Sequence, residues 1–239
     1  MSDAVKSIIE RNLKVVRERI ADAATRSGRC PEDITLVAIT KYVDISIIKE
    51  LVGLGQRVLG ESRPQQLWER VDALRGEEVE WHLVGPLQKN KARKTLPLVH
   101  WIHSIDSLAL LEAVDRIAGE LRVCPRVLLE VNVSGHPAKH GFRPEEMPEV
   151  VKRALLYKNV MISGLMAMAG YEGDMEGARR DFRTLRNLRD ELQKVLGTQS
   201  VLKELSMGMS GDFEIAIEEG ATIVRIGSAL FEGLPEARS

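Results

Sequence analysis

Apolar and polar positions along the chain follow two different periods. Residues 4–26 carry Val5, Ile8, Ile9, Leu13, Val16, Ile20 and Ala24 at the spacing of an amphipathic helix. Gly28 ends that helix and Pro31 follows it. Short apolar runs then fall at 34–40, 57–61, 81–85, 100–105, 126–132, 160–168, 203–209 and 222–227. Between them lie amphipathic stretches near 44–54, 63–75, 88–95, 107–120, 144–156, 174–196 and 211–219. Strands alternating with helices predict βαβ units and a parallel sheet. Eight such units suit a closed barrel of about 250 residues. An open doubly wound sheet is the competing architecture, but it normally uses fewer strands. The expectation is therefore an α/β chain: a single (β/α)8 TIM barrel domain over 1–239 with an extra N-terminal helix.

Charge narrows the partners. The chain has 34 basic and 35 acidic residues and a formal net charge of −1. Binding to a phosphate backbone needs a clear basic excess, so nucleic acid is not an expected partner. No apolar run reaches the roughly 18–20 residues that span a bilayer, so no membrane is expected either. The start, "MSDAVKSIIERNLKVV", carries charge throughout and lacks the apolar core of a secretory signal. Cys30 and Cys124 belong to no CxxC pair or metal-ligand spacing. Two reduced thiols in a cytoplasmic protein are expected. "GLGQRVLG" at 53–60 does not match G-x-G-x-x-G and leads into a predicted strand, so it is no dinucleotide loop. "KNKARK" at 89–94 reads as a solvated helix face.

Chemistry in a (β/α)8 barrel sits at the C-terminal ends of the strands, and a phosphate often binds at the loops after strands 7 and 8. Here the segment after the seventh predicted strand contains Gly208, Ser210 and Gly211 ahead of a helix. The segment after the eighth contains Gly227 and Ser228. Glycine lets backbone approach a ligand, and a helix start offers unpaired N–H groups to an anion. Either loop alone is as well explained by a tight βα turn. The pair together favours a phosphate. Lys41 ends the first strand, beside the eighth in a closed barrel, and Arg225 ends the eighth. A lysine amine, an arginine and a phosphate site point to pyridoxal phosphate held as a Schiff base.

Several separated motifs extend this picture. They are "LVAITK" ending at Lys41, "LGESRPQQ" at 59–66, "WHLVGPLQKNK" at 81–91 and "HSIDS" at 103–107. "EVNVSGHPAKHGF" at 130–142, "GLMAM" at 164–168, "LSMGMSGDFEIAI" at 205–217 and "TIVRIGSALFEG" at 222–233 complete the set. In these motifs the chain resembles the pyridoxal phosphate homeostasis protein family, also called the proline synthase co-transcribed homologue family. That resemblance implies a barrel similar to the N-terminal domain of alanine racemase, with pyridoxal 5'-phosphate (PLP) as cofactor. It implies that Lys41 carries PLP as a Schiff base. Ser210, Gly227 and Ser228 would hold the phosphate, and Arg225 would face the pyridine nitrogen. Asn132, on the fifth strand, and Met207 and Met209, ending the seventh, would line the pocket. His82, in the family's Trp-His pair, and Ser62 are further candidates. Ser62 stands in Gly60-Glu61-Ser62-Arg63, where the family usually reads Gly-Glu-Asn-Arg. Tyr42-Val43-Asp44 follows the lysine, where the family commonly has Thr, then Lys or Gln, then Pro.

An arginine is always protonated. Facing the pyridine nitrogen, it leaves that nitrogen as an acceptor and the ring a weaker electron sink. Alanine racemase works with such an arginine but draws a tyrosine base from a second domain across a dimer. These 239 residues hold no stretch for that domain, and the tyrosines are Tyr42, Tyr157 and Tyr171. Only Tyr42 adjoins the lysine, and adjacent side chains on an extended segment diverge. The expected function is to bind PLP, store it and deliver it to PLP-recipient apo-enzymes as a monomer, without substantial catalysis. The alternatives are a weak PLP-dependent amino-acid racemase and a PLP-sensing regulatory interaction protein.

Overall fold

A computed structural model describes residues 3–136, 139–170, 175–197 and 201–234. Tyr171 and Ser239 lie outside the described residues. Eight parallel strands pair in sequence order and close into a barrel. They are β1 (Thr35–Ile39), β2 (Val58–Glu61), β3 (Glu80–Leu83), β4 (Trp101–Ile105), β5 (Arg126–Glu130), β6 (Met161–Met166), β7 (Glu204–Ser206) and β8 (Ile223–Ile226). The helices are α1 (Asp3–Arg26), α2 (Ile45–Gly53), α3 (Pro64–Ala73), α4 (Lys89–Thr95) and α5 (Leu108–Leu121), then α6 (Met147–Ala154), α7 (Met175–Leu196), α8 (Phe213–Glu218) and α9 (Ser228–Phe231). The (β/α)8 barrel with an added N-terminal helix is thus as the periodicity predicts.

Local sequence explains the boundaries. Pro64 opens α3, where its missing N–H costs nothing. Ser107 caps α5, its Oγ accepting from the Leu110 N–H at 3.3 Å. Most strands are shorter than the apolar runs at their C-terminal ends. β5 stops at Glu130, β6 at Met166 and β7 at Ser206. Beyond these ends Val131, Ala167 and Met207 still pack in the layer under the helices, while Met168 and Met209 are exposed. Asn132, expected on the fifth strand, lies two residues past it.

Period two sorts the strand residues between two cores. Outward positions such as Ala38, Leu59, Leu83, Ile102, Leu129, Leu205 and Val224 join the helices in one continuous apolar layer. Inward positions form a smaller cluster of Val37, Trp101, Leu128, Met166 and Ile223, with Ile39, Val58 and Val84 packed on it. Polar side chains share the inward face: His82, His103, Glu130, Ser206 and Arg225 are all buried.

Closure joins the two ends of the chain. β1 pairs with β8 through Thr35↔Ile223, Leu36↔Val224, Val37↔Arg225 and Ala38↔Ile226. Helix α1 packs its buried Ile9, Leu13, Val16 and Ile20 near this seam, against α8 and α9. Buried Asn12 pins it there, its Nδ2 donating to the carbonyls of Leu230 (3.2 Å) and Glu232 (2.9 Å). Replacing Asn12 with Ala strips two carbonyls of their donor. The expected loss is about 1–2 kcal/mol in urea unfolding, with the m-value unchanged.

Candidate cofactor site

The seam between β1 and β8 carries the candidate site. Beyond β1 the chain turns at once, with Val43 N donating to the Thr40 carbonyl at 3.1 Å. That turn places the half-buried Lys41 with Nζ 4.6 Å from the centroid of the Tyr42 ring. Sequence reasoning expected the two side chains to diverge, as on an extended segment. The segment is a turn, and they meet. Tyr42 itself is 76% exposed.

Beneath this turn lies a buried cluster. Thr40 Oγ1 and Arg70 Nη1 both donate to Glu61 Oε1. Arg70 Nη1 also reaches Thr40 Oγ1 at 3.3 Å, and its Nη2 donates to the Val43 carbonyl at 3.1 Å. Arg70, from α3, therefore clamps both sides of the turn that presents Lys41. Burial pushes the Glu61 carboxyl up, against the downward pull of Arg70, Thr40 and, more weakly, Lys41. Glu61 Oε2 has no hydrogen-bond partner, alone among the buried side-chain N and O atoms of the described residues.

On the β8 side, the Ser210 hydroxyl oxygen accepts from two backbone N–H groups, Gly227 at 3.2 Å and Ala229 at 3.3 Å. These donors belong to the start of α9, and Ser228 beside them is exposed. A Cβ on Gly227 would sit 3.3 Å from the Ile39 carbonyl oxygen, so the loop lies close against the end of β1. Gly208 has φ +94°, and a Cβ there would meet Ala216 Cβ at 2.6 Å. Only glycine holds that bend, which brings the loop after β7 to the loop after β8.

Arg225 lies inside the barrel on β8, 5% exposed. Nη1 donates to Ser206 Oγ at 2.6 Å and Nη2 to the Ala167 carbonyl at 3.0 Å. Burial lowers its pKa to about 10, partly offset by Glu130 and Asp212, so it remains a cation at neutral pH. A lysine amine, a buried arginine and two backbone donors gathered on one hydroxyl oxygen thus border the same seam. That donor set fits an aldehyde, a heteroaromatic ring acceptor and a phosphate, the three functional groups of PLP.

The remaining predicted residues divide. Met209 is exposed at the mouth, its N–H held by Asp212 Oδ1 at 2.6 Å. Met207 points the other way and is fully buried in the layer under the helices. Asn132 gives its amide to its own loop, Nδ2 donating to the His136 carbonyl at 2.9 Å and the Lys139 carbonyl at 3.4 Å. Ser62 sits at the rim between β2 and β3, its carbonyl closely packed on Gly85. His82 is buried inside the barrel among His103, Trp101 and Glu80, below the mouth.

The model of the alanine racemase N-terminal domain family matches residues 44–235, beginning three residues past Lys41. A pyridoxal phosphate homeostasis protein of Aquifex aeolicus is 42% identical over 219 residues, covering 92% of this chain and 95% of its own length. The chain belongs to the pyridoxal phosphate homeostasis protein family. The Escherichia coli K12 member is 36% identical, covering 93% of this chain and 95% of its own. PipY of Synechococcus elongatus PCC7942, solved with PLP bound, superimposes with a TM-score of 0.79 at 37% identity, covering 89% of this chain and 99% of its own. An alanine racemase of Clostridium difficile 630 shares the fold alone, with a TM-score of 0.74 at 16% identity. It covers 96% of this chain, but the chain spans only 58% of it.

Beside the lysine turn, Glu61 and Arg70 are residues that sequence reasoning did not single out. Both stand in or just beyond the quoted "LGESRPQQ" motif, where Ser62 drew attention. The available signal was a glutamate closing an apolar strand. Such a carboxylate is seldom fully buried unless paired. Replacing Arg70 with Ala leaves Glu61 buried without its cation. Urea unfolding should show a loss of about 3 kcal/mol, and adding Glu61→Gln should recover part of it.

Proposed function

We propose that this chain binds PLP, holds it covalently through Lys41, and takes part in intracellular vitamin B6 homeostasis without substantial catalysis. One observation carries the reading. Lys41, Arg225 and the N–H groups of Gly227 and Ala229 border one seam of a closed barrel. The Arg70 clamp presents the Lys41 amine at the mouth. The start of α9, with Ser210, Gly227 and Ser228, binds the phosphate through backbone N–H groups and hydroxyls. Arg225 donates toward the ring nitrogen. Bound PLP supplies an aldehyde that condenses with an amine. An arginine donor leaves the ring nitrogen unprotonated, which suits retention better than broad carbanion chemistry. The barrel domain acts as a cytoplasmic monomer that passes PLP to recipient apo-enzymes.

The purified protein given PLP should show a visible absorption band that borohydride abolishes and that Lys41→Ala never develops. A preparation that stays colourless refutes the reading. Ser210→Ala combined with Arg225→Ala should release PLP during dialysis that leaves the parent protein loaded.

A second reading, weak amino-acid racemisation, is favoured by the Tyr42 ring beside the Lys41 amine. It requires that loaded protein erode the optical rotation of L-alanine, and that Tyr42→Phe and Lys41→Ala both stop it. The expected outcome is no loss of rotation beyond that caused by free PLP.

A further inference from the structure

A continuous file of polar side chains crosses the barrel interior below the mouth. Arg225 Nη1 donates to Ser206 Oγ at 2.6 Å. Ser206 Oγ lies 2.9 Å from His103 Nδ1. His103 Nε2 lies 2.9 Å from His82 Nδ1. His82 Nε2 lies 3.2 Å from Glu80 Oε1, which also accepts from Trp101 Nε1 at 2.8 Å. Ser206 and His103 are fully buried and His82 is 1% exposed, so these groups lie away from bulk solvent. β4 and β7 are not neighbours in the sheet, so the His103–Ser206 bond spans the lumen. Such an interior is ordinarily filled by branched apolar side chains.

The two ends fix the direction of every link. Arginine can only donate, and an ionised carboxylate can only accept. Each neutral imidazole and the hydroxyl bring one donor hydrogen. One arrangement satisfies all links: Arg225 to Ser206, Ser206 to His103 Nδ1, His103 Nε2–H to His82 Nδ1, and His82 Nε2–H to Glu80. Reversing the chain sets an imidazole lone pair against the Glu80 carboxylate. Burial keeps both histidines toward the neutral form, and the His82 bond holds Glu80 down to about 2. Among the described residues Arg225 forms no ion pair, and Glu130 and Asp212 act on it only through their charge. Its hydrogen-bond acceptors are a hydroxyl and a carbonyl.

We propose that Ser206, His103, His82 and Glu80 are positioning residues, a one-way hydrogen-bond relay that orients the Arg225 guanidinium toward the ring nitrogen of the cofactor. The relay ties a half-exposed carboxylate at the start of β3 to a buried cation on β8. This proposal rests on the PLP reading for its ligand, but its hydrogen positions belong to the protein alone.

The test uses side-chain ¹⁵N–¹H NMR of the histidines in cofactor-free protein, together with PLP titration followed by the visible band. The parent protein should carry His82 and His103 as neutral Nε2–H tautomers. Glu80→Gln keeps the size, removes the charge and permits the reverse direction. It should populate Nδ1–H forms and weaken PLP binding by about 2- to 30-fold. Ser206→Ala cuts the file in the middle and should weaken binding by a similar factor. Adding Glu80→Gln to Ser206→Ala should then weaken it no further. An Nδ1–H form of either histidine in the parent protein overturns the relay. So do unchanged tautomers in Glu80→Gln, an unmoved Kd, or additive effects in the double variant. Failure of the parent protein to take up PLP refutes the functional reading instead, and the tautomers then judge the relay by themselves.

Discussion

The pairing of β1 with β8 is the constraint on which the rest of the structure depends. Val37 and Arg225 stand opposite each other across that seam, although 188 residues separate them in the chain. Without closure, Lys41 is a lysine on a turn and Gly227 a glycine in a loop. With it, the loop after β8 packs against the last residue of β1. Hydrogen bonding around the whole ring leaves no free sheet edge, so the seam cannot slide without breaking the register of its neighbours. Helix α1 adds a second lock, since Asn12 holds the two carbonyls just beyond the seam.

Closure also creates an enclosed interior, and this chain fills it unevenly. Valines, Ile39, Leu128 and Met166 occupy inward positions on β1, β2, β5 and β6. Histidines, a serine and an arginine occupy inward positions on β3, β4, β7 and β8, where Trp101 and Ile223 also face inward. Burying these groups costs stability unless each is hydrogen-bonded. The interior meets that demand by connecting them to one another. The outer layer contains a second polar island, Thr40–Glu61–Arg70, directly behind the lysine turn. The two islands lie on opposite faces of the sheet, and each ends at a residue that borders the candidate site.

Much of this was legible in the sequence, for identifiable reasons. The eight strands follow from apolar runs between amphipathic helices. The placement of Lys41, Ser210, Arg225 and Gly227 around the ends of β1, β7 and β8 follows from the order of those runs. Met207 faces the helix layer and Asn132 lies beyond the strand because sequence proximity to a strand end does not say which way a side chain turns. Met207 follows inward Ser206 and so faces the helices. Asn132 is two residues outside the sheet and is spent on its own loop. The polar interior was harder. "EWHL" alternates polar and apolar residues and "WIHSI" sets a histidine and a serine among apolar ones, and in an open sheet polar strand positions mark a solvent face. A closed barrel turns one of those faces inward, so His82 and His103 are buried in the lumen while Glu80, at the start of β3, stays half-exposed. The meaning of the pattern depends on the topology, which a local window does not contain.

The polar half of the interior explains why the arginine can be held so deep. A guanidinium in an apolar lumen would swing toward the mouth and water. Here two of its donors are fixed, by Ser206 and by the Ala167 carbonyl, and the remainder of the group must point where those bonds leave it. Fixing a donor before a ligand arrives removes the ordering cost from the binding step. An aliphatic residue could fill the lumen but could not set a direction. Histidine can, because it passes one hydrogen bond through a rigid ring while spanning the space between non-neighbouring strands. On this view the interior of the barrel is part of the site, and its stability cost is the cost of a preorganised arginine.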